Sequence, residues 1–149
     1  MRPGRPLSRV LHEYGLYLAW VVSLVATGGS LYFSEVMGFV PCELCWWQRV
    51  LMYPQALILG IASYRDDRRI VTYALPMNLI GASISTFHYL QEKVPAFRTP
   101  VCGGDVSCFT PWINWFGFIT IPFLALTAFL LIALCVWRAA ARLNRSRLS

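Results

Sequence analysis

Two pairs of cysteines are the residues of this 149-residue chain best equipped to do chemistry. Cys42 and Cys45 form a C-x-x-C directly after Pro41, and Cys102 and Cys108 stand with five residues between them in a stretch rich in glycine and proline. A C-x-x-C that opens a helix sits where unpaired backbone N–H groups and the positive end of the helix dipole favour a thiolate, the reactive form of the side chain. The second pair is expected to close a small ring across the turn Gly103-Gly104-Asp105. A short-loop, exposed disulfide gains little from chain entropy and is open to attack, so it reads as a bond built to exchange rather than to brace. The fifth cysteine, Cys135, falls inside an apolar run and reads as a buried free thiol with no part in the chemistry.

Other readings of the four cysteines are less economical. An all-thiolate zinc site needs tighter spacing than the second pair offers and a less oxidising medium, so no metal is expected. Covalent haem attachment would require His directly after the second Cys, where Trp46 stands. A scaffold or small transporter with static disulfides, or a metal-binding membrane protein, are the rival functional classes.

Arg49 stands four residues after Cys45. At about 100° per residue, Cys42, Cys45, Arg49 and Tyr53 share roughly one quadrant of a helix, which sets a guanidinium one turn below the second sulfur. A charge inside a membrane segment is costly unless it is paired or used, so Arg49 is the most pointed single residue: it can stabilise a thiolate or polarise a carbonyl-bearing acceptor. His88 is expected at a similar depth on the next helix, where the two donors would frame the oxygens of a membrane-soluble oxidant. Trp46 and Trp47 read as interface anchors.

The elements that must position these residues are membrane helices. The chain is 57% hydrophobic and 13% charged, against about 25% charged for soluble domains. Its net charge of +6 comes from basic residues at the ends of apolar runs, not along one amphipathic face, which argues against nucleic-acid binding. Apolar stretches at about 14–33, 42–64, 70–90 and 112–137 predict a single domain: an all-α, four-transmembrane-helix bundle with two outward-facing loops, each contributing a cysteine pair. Pro54 and Pro76 fall within the second and third stretches, and Pro122 interrupts the fourth. A cleaved signal peptide over the first stretch is the competing reading, but that run is long for a signal and an odd number of spans would spoil the charge pattern. Ten of the thirteen Lys and Arg residues lie at the N-terminus, at 65–69 or at the C-terminus. The positive-inside rule then predicts a multi-pass protein of the cell membrane with membrane lipids around it, both termini cytoplasmic and both cysteine pairs extracytoplasmic. Gly81 to His88 is small and polar enough for close helix packing.

The run Pro41-Cys42-Glu43-Leu44-Cys45-Trp46-Trp47-Gln48-Arg49 resembles the signature of the DsbB/BdbC disulfide bond formation proteins, quinone-linked thiol oxidases. Trp112 to Pro122 and Phe87-His88-Tyr89-Leu90 resemble the BdbC branch in particular, and the likeness extends from Tyr14 to Trp137. The resemblance implies a relay. A reduced, extracytoplasmic thioredoxin-like dithiol protein attacks the Cys102–Cys108 disulfide at Cys102, Cys108 passes the exchange to Cys42, and Cys45 delivers the electrons to a quinone beside Arg49 and His88. That route, from DsbA through DsbB to quinone, is the known one for the family's namesake. The chain departs from the DsbB branch in its second pair, which is separated there by a much longer loop.

Overall fold

The computed structural model describes residues 6–100 and 106–147, so Cys102 lies outside the described residues. Four long helices account for most of them: α1 (Pro6–Leu31), α2 (Glu43–Arg65), α3 (Val71–Lys93) and α4 (Ile121–Arg147). α1 runs on through a single π-turn, Tyr32–Val36, before the chain turns back. The helices pack α1 on α2, α2 on α3, α3 on α4 and α4 on α1, an antiparallel ring about one core. Leu59, Phe129, Ile132 and Val136 are fully buried in it.

Small residues let the helices close on one another. A Cβ added to Gly81 of α3 would lie 2.4 Å from the Phe129 ring of α4, and one added to Gly15 of α1 would lie 2.7 Å from the Cys135 carbonyl oxygen. The expected close packing of the Gly81–His88 stretch is therefore realised against α4. Polar bonds also cross the interior: the Trp20 indole donates to the Ala56 carbonyl at 2.9 Å, and Asn78 Nδ2 donates to Gln55 Oε1 at 2.7 Å between two buried side chains. Arg68, in the 3-10 turn between α2 and α3, is also buried; it donates to the Ala139 carbonyl at 2.9 Å and pairs with Asp66 at 3.0 Å.

Among the described residues, three helical segments are long and apolar enough to cross a membrane: Glu13–Val36, Arg68–Lys93 and Ile121–Ala141. α2 has the length, about 35 Å over its 23 residues, but not the composition. Arg49, Gln48 and Gln55 dilute its hydropathy, and both glutamines are buried against the other helices.

The fourth helix starts later than its apolar pattern implies. Trp112–Thr120 forms a turn in which Trp115 pairs with Ile119 and both Phe116 (φ 52°) and Gly117 (φ 80°) take left-handed conformations. Helix cannot propagate through such residues. Pro122 consequently occupies the second position of α4, where its missing N–H costs nothing, instead of interrupting the helix. Lys93 Nζ holds the turn from the end of α3 by donating to Asn114 Oδ1 at 3.0 Å and to the Gly117 carbonyl at 2.7 Å. Phe39 stacks on Trp112 with ring centroids 5.1 Å apart, which ties the two interhelical loops together over the cysteines.

Candidate active site

Cys42, directly after Pro41, is extended (ψ 175°) and is the N-cap of α2. The helix therefore begins between the two cysteines, with Cys45 in its first turn. Both carry free thiols, and their sulfurs are 3.1 Å apart. Closure to a disulfide needs the sulfurs to approach by about 1 Å.

The two sulfurs face different surroundings. Cys42 is 5% exposed and belongs to a small buried cluster with Leu44 and Cys108, to which Ile84 and Phe87 of α3 contribute. Cys108 is disulfide-bonded and 1% exposed. Cys108 of the second pair thus shares a buried cluster with Cys42 of the first. His88, also buried, places Nε2 3.6 Å from Cys42 Sγ and Nδ1 3.1 Å from Gln48 Nε2. Since an amide nitrogen can only donate, Nδ1 accepts from Gln48, and Nε2 carries the imidazole proton toward the sulfur.

Cys45 instead lines a cavity of about 500 Å³ between α1, α2 and α4. Apolar side chains make most of its wall, while Cys45, Gln48, Arg49 and Tyr53 form a polar strip along α2. Cys45, Arg49 and Tyr53 are three of the four residues that helical spacing puts on one face. The fourth, Cys42, precedes the helix, and its extended backbone turns it toward His88.

Arg49 is anchored by α1. Its Nη2 donates to the Ser30 carbonyl at 3.3 Å and to Ser34 Oγ, and the guanidinium lies 5.5 Å from the Trp46 ring centroid. Tyr53 donates to Ser30 Oγ at 3.1 Å. Ser34 lies in the π-turn, whose extra residue per turn is what brings this hydroxyl round to the arginine. Arg49 and His88 therefore do not frame one chamber: Arg49 lines the cavity, and His88 sits against Cys42, outside the lining. Gln48, Ser30 and Ser34 escaped sequence reasoning. Gln48 stands within the quoted cysteine run, and the four-residue spacing of the two serines at the end of a charge-free span was the available signal for them. Cys135 is buried and free, near the opposite end of the bundle.

With one sulfur toward a second cysteine and the other toward an apolar chamber with a cation, the arrangement can move an electron pair between a protein disulfide and a small apolar acceptor. Comparison with known proteins agrees with a disulfide chemistry. The family described as "Disulfide bond formation protein DsbB" matches residues 13–140. Disulfide bond formation protein C of Bacillus subtilis is 61% identical over 118 residues, covering 78% of this chain and 86% of the relative. Probable disulfide formation protein C 1 of Bacillus anthracis is 56% identical over 124 residues (83% and 89%), and a probable disulfide formation protein of Coxiella burnetii is 46% identical over 129 residues (85% and 88%). No solved structure matches. With the family's sequence pattern spanning all four helices and both faces of the dithiol, the chain belongs to the DsbB family of disulfide bond formation proteins.

Proposed function

We propose that this protein is a membrane thiol oxidase that reoxidises an extracytoplasmic thioredoxin-like dithiol protein and delivers the electrons to a membrane quinone. The observation that carries the reading is the division of labour within one C-x-x-C: Cys42 packs on Cys108, while Cys45 opens into the apolar cavity beside Arg49. The lining fits a quinone, since its walls suit an apolar ring and tail and the Arg49 guanidinium offers fixed donors for a carbonyl oxygen.

The proposed sequence begins when a partner thiolate attacks Cys102, because Cys108, at 1% exposure, is closed to a protein thiol. Closing the partner's own disulfide releases the second pair as a dithiol. Cys108 then attacks the oxidised Cys42–Cys45 bond at Cys42 and expels the Cys45 thiolate. Attack of Cys102 on Cys108 restores the second disulfide and leaves the first pair reduced. A bound quinone supplies the oxidant, taking two electrons and two protons. Arg49 holds negative charge at the cavity wall, and His88 donates to Cys42 through Nε2 whenever that sulfur is a thiolate.

Purified protein given a reduced dithiol partner is expected to consume quinone one-for-one with partner disulfide formed, and Cys108→Ala, whose Cys102 is left as a free thiol, to displace the aryl thiol from a partner that keeps only its attacking cysteine, activated as an aryl mixed disulfide, and so accumulate a covalent adduct that Cys102→Ala does not. Equal trapping by both variants would assign the entry sulfur wrongly, and quinone-independent turnover would remove the acceptor.

The same reading makes α2 a fourth span and sets both termini in the cytoplasm. Arg98→Cys, in the exposed link after α3, should be labelled in intact cells by a membrane-impermeant maleimide, with tags on either terminus protected from added protease. Protected Arg98→Cys together with digested tags would invert the orientation and move the cysteines to the reducing side.

A further inference from the structure

Cys42 Sγ, Cys45 Sγ and a ring nitrogen of His88 all lie within 4.8 Å of one another, two of the three residues buried. The sulfurs are 3.1 Å apart, and Cys42 Sγ is 3.6 Å from His88 Nε2. In tetrahedral zinc coordination, with Zn–S of about 2.3 Å and Zn–N of about 2.0–2.1 Å, the corresponding separations are about 3.8 Å and about 3.6 Å. The Cys42–His88 spacing already matches, the sulfurs need to part by only about 0.7 Å, and Cys45 Sγ, within 4.8 Å of the ring nitrogen, needs to reach about 3.6 Å from it, which side-chain rotation supplies.

We propose that the reduced form of the first pair is a zinc site, with Cys42, Cys45 and His88 as ligands and the fourth position open toward the cavity that Cys45 lines. It differs from a four-cysteine site in drawing on one pair and a histidine from the neighbouring helix. Two thiolates and a neutral imidazole balance the dication, so the added ion leaves no net charge in the bundle. The guanidinium of Arg49 is not in the way, being tethered to Ser30 and Ser34 on α1. Gln48 is suited to both states. In the free centre its Nε2 donates to His88 Nδ1, and a half-turn of the amide presents Oε1 to the Nδ1–H that metal ligation through Nε2 requires.

Binding releases the two thiol protons and changes no oxidation state, because zinc has no accessible redox couple. Both sulfurs are then held as metal thiolates and cannot close into a disulfide. Zinc therefore arrests the protein in its reduced state until a chelator removes it. Nothing in this depends on which acceptor normally takes the electrons.

The test uses the full chain in detergent with Cys102, Cys108 and Cys135 replaced by serine, reduced with a phosphine and titrated with zinc against a chromophoric chelator. One zinc per chain is expected on the reduced protein, with at least a 100-fold loss of affinity after the Cys42–Cys45 disulfide forms. Cobalt(II) should give the intense visible bands of a tetrahedral thiolate site, lost on adding excess zinc. His88→Asn should weaken binding at least ten-fold. Gln48→Glu should tighten it by about ten-fold, because a carboxylate on Nδ1–H raises ligand basicity, and a misfolded variant cannot produce a gain. Equal affinity of reduced and oxidised protein overturns the site, as does unchanged affinity in both His88→Asn and Gln48→Glu.

Discussion

Cys45→Ser is expected to cut quinone-linked turnover by about a thousand-fold or more, the scale of loss seen when a covalent participant is removed. The reason lies in where the two sulfurs point. Cys42, buried in one cluster with Cys108, can still exchange with the Cys102–Cys108 bond in the variant, but without Cys45 the interpair bond can only revert by attack of the freed Cys102, and no electron pair moves on. The serine hydroxyl at the cavity wall is not ionised near neutral pH and cannot carry the electron pair. The variant should collect in part as a Cys42–Cys108 crosslink, visible as a mobility shift on non-reducing gels and as alkylation of Cys102 in place of Cys42, with the number of thiols unchanged. Cys135→Ser, deep in the bundle and remote from the cavity, should keep the wild-type rate within about two-fold. Residual turnover above about one per cent in Cys45→Ser would mean that electrons leave through Cys42, and that the cavity is not their exit.

Arg49→Ala is expected to insert and fold normally, since deleting a charge from a membrane helix relieves a penalty. It should also retain both disulfides after air oxidation. Its defect should appear with the acceptor: a raised quinone KM and a slower kcat, together about 10- to 100-fold in kcat/KM, the worth of one charge-assisted hydrogen bond of about 1.5–3 kcal/mol. Arg49→Lys should recover only part of this, because a point charge on a flexible stem cannot reproduce a planar fork held by Ser30, Ser34 and the Trp46 ring. Steady-state rates over a quinone series decide the matter. Unchanged quinone dependence in Arg49→Ala would take the acceptor site away from this cavity.

What was legible in the sequence was local. The C-x-x-C after Pro41 announced a helix start, and the helical repeat put Cys45, Arg49 and Tyr53 on one wall. Composition announced apolar helices. What was not legible depended on contacts distant along the chain. His88 has the right depth for a cavity donor, but rotation of α3 about its axis, set by Gly81 against Phe129, turns the ring to Cys42. Nothing local to His88 encodes that angle. Residues Trp112–Thr120 are apolar enough to pass for the first turns of a span, and hydropathy is blind to the Phe116-Gly117 turn held by Lys93. The Arg49 tether was equally hidden, because it joins residues 15 and 19 positions apart through a π-turn that no residue pattern marks.

The composition of α2 bears on how the bundle is made. Insertion of a helix on its own is decided residue by residue, and arginine is among the costliest residues, up to about 2.5–3.5 kcal/mol at a helix centre and less towards its ends. α2 carries Arg49 and two glutamines and has little apolar surplus to offset them. Its neighbour supplies what it lacks: Asn78 of α3 bonds to Gln55 and His88 to Gln48, and only Asp66–Ile70 separates the two helices. In the proposed four-span topology, α2 is a segment that the translocon would hold until α3 has been synthesised, the two passing into lipid as a hairpin. The dithiol would then reach its final depth only after the histidine that faces it has been made, so that the redox centre and its histidine are delivered to the membrane in one event.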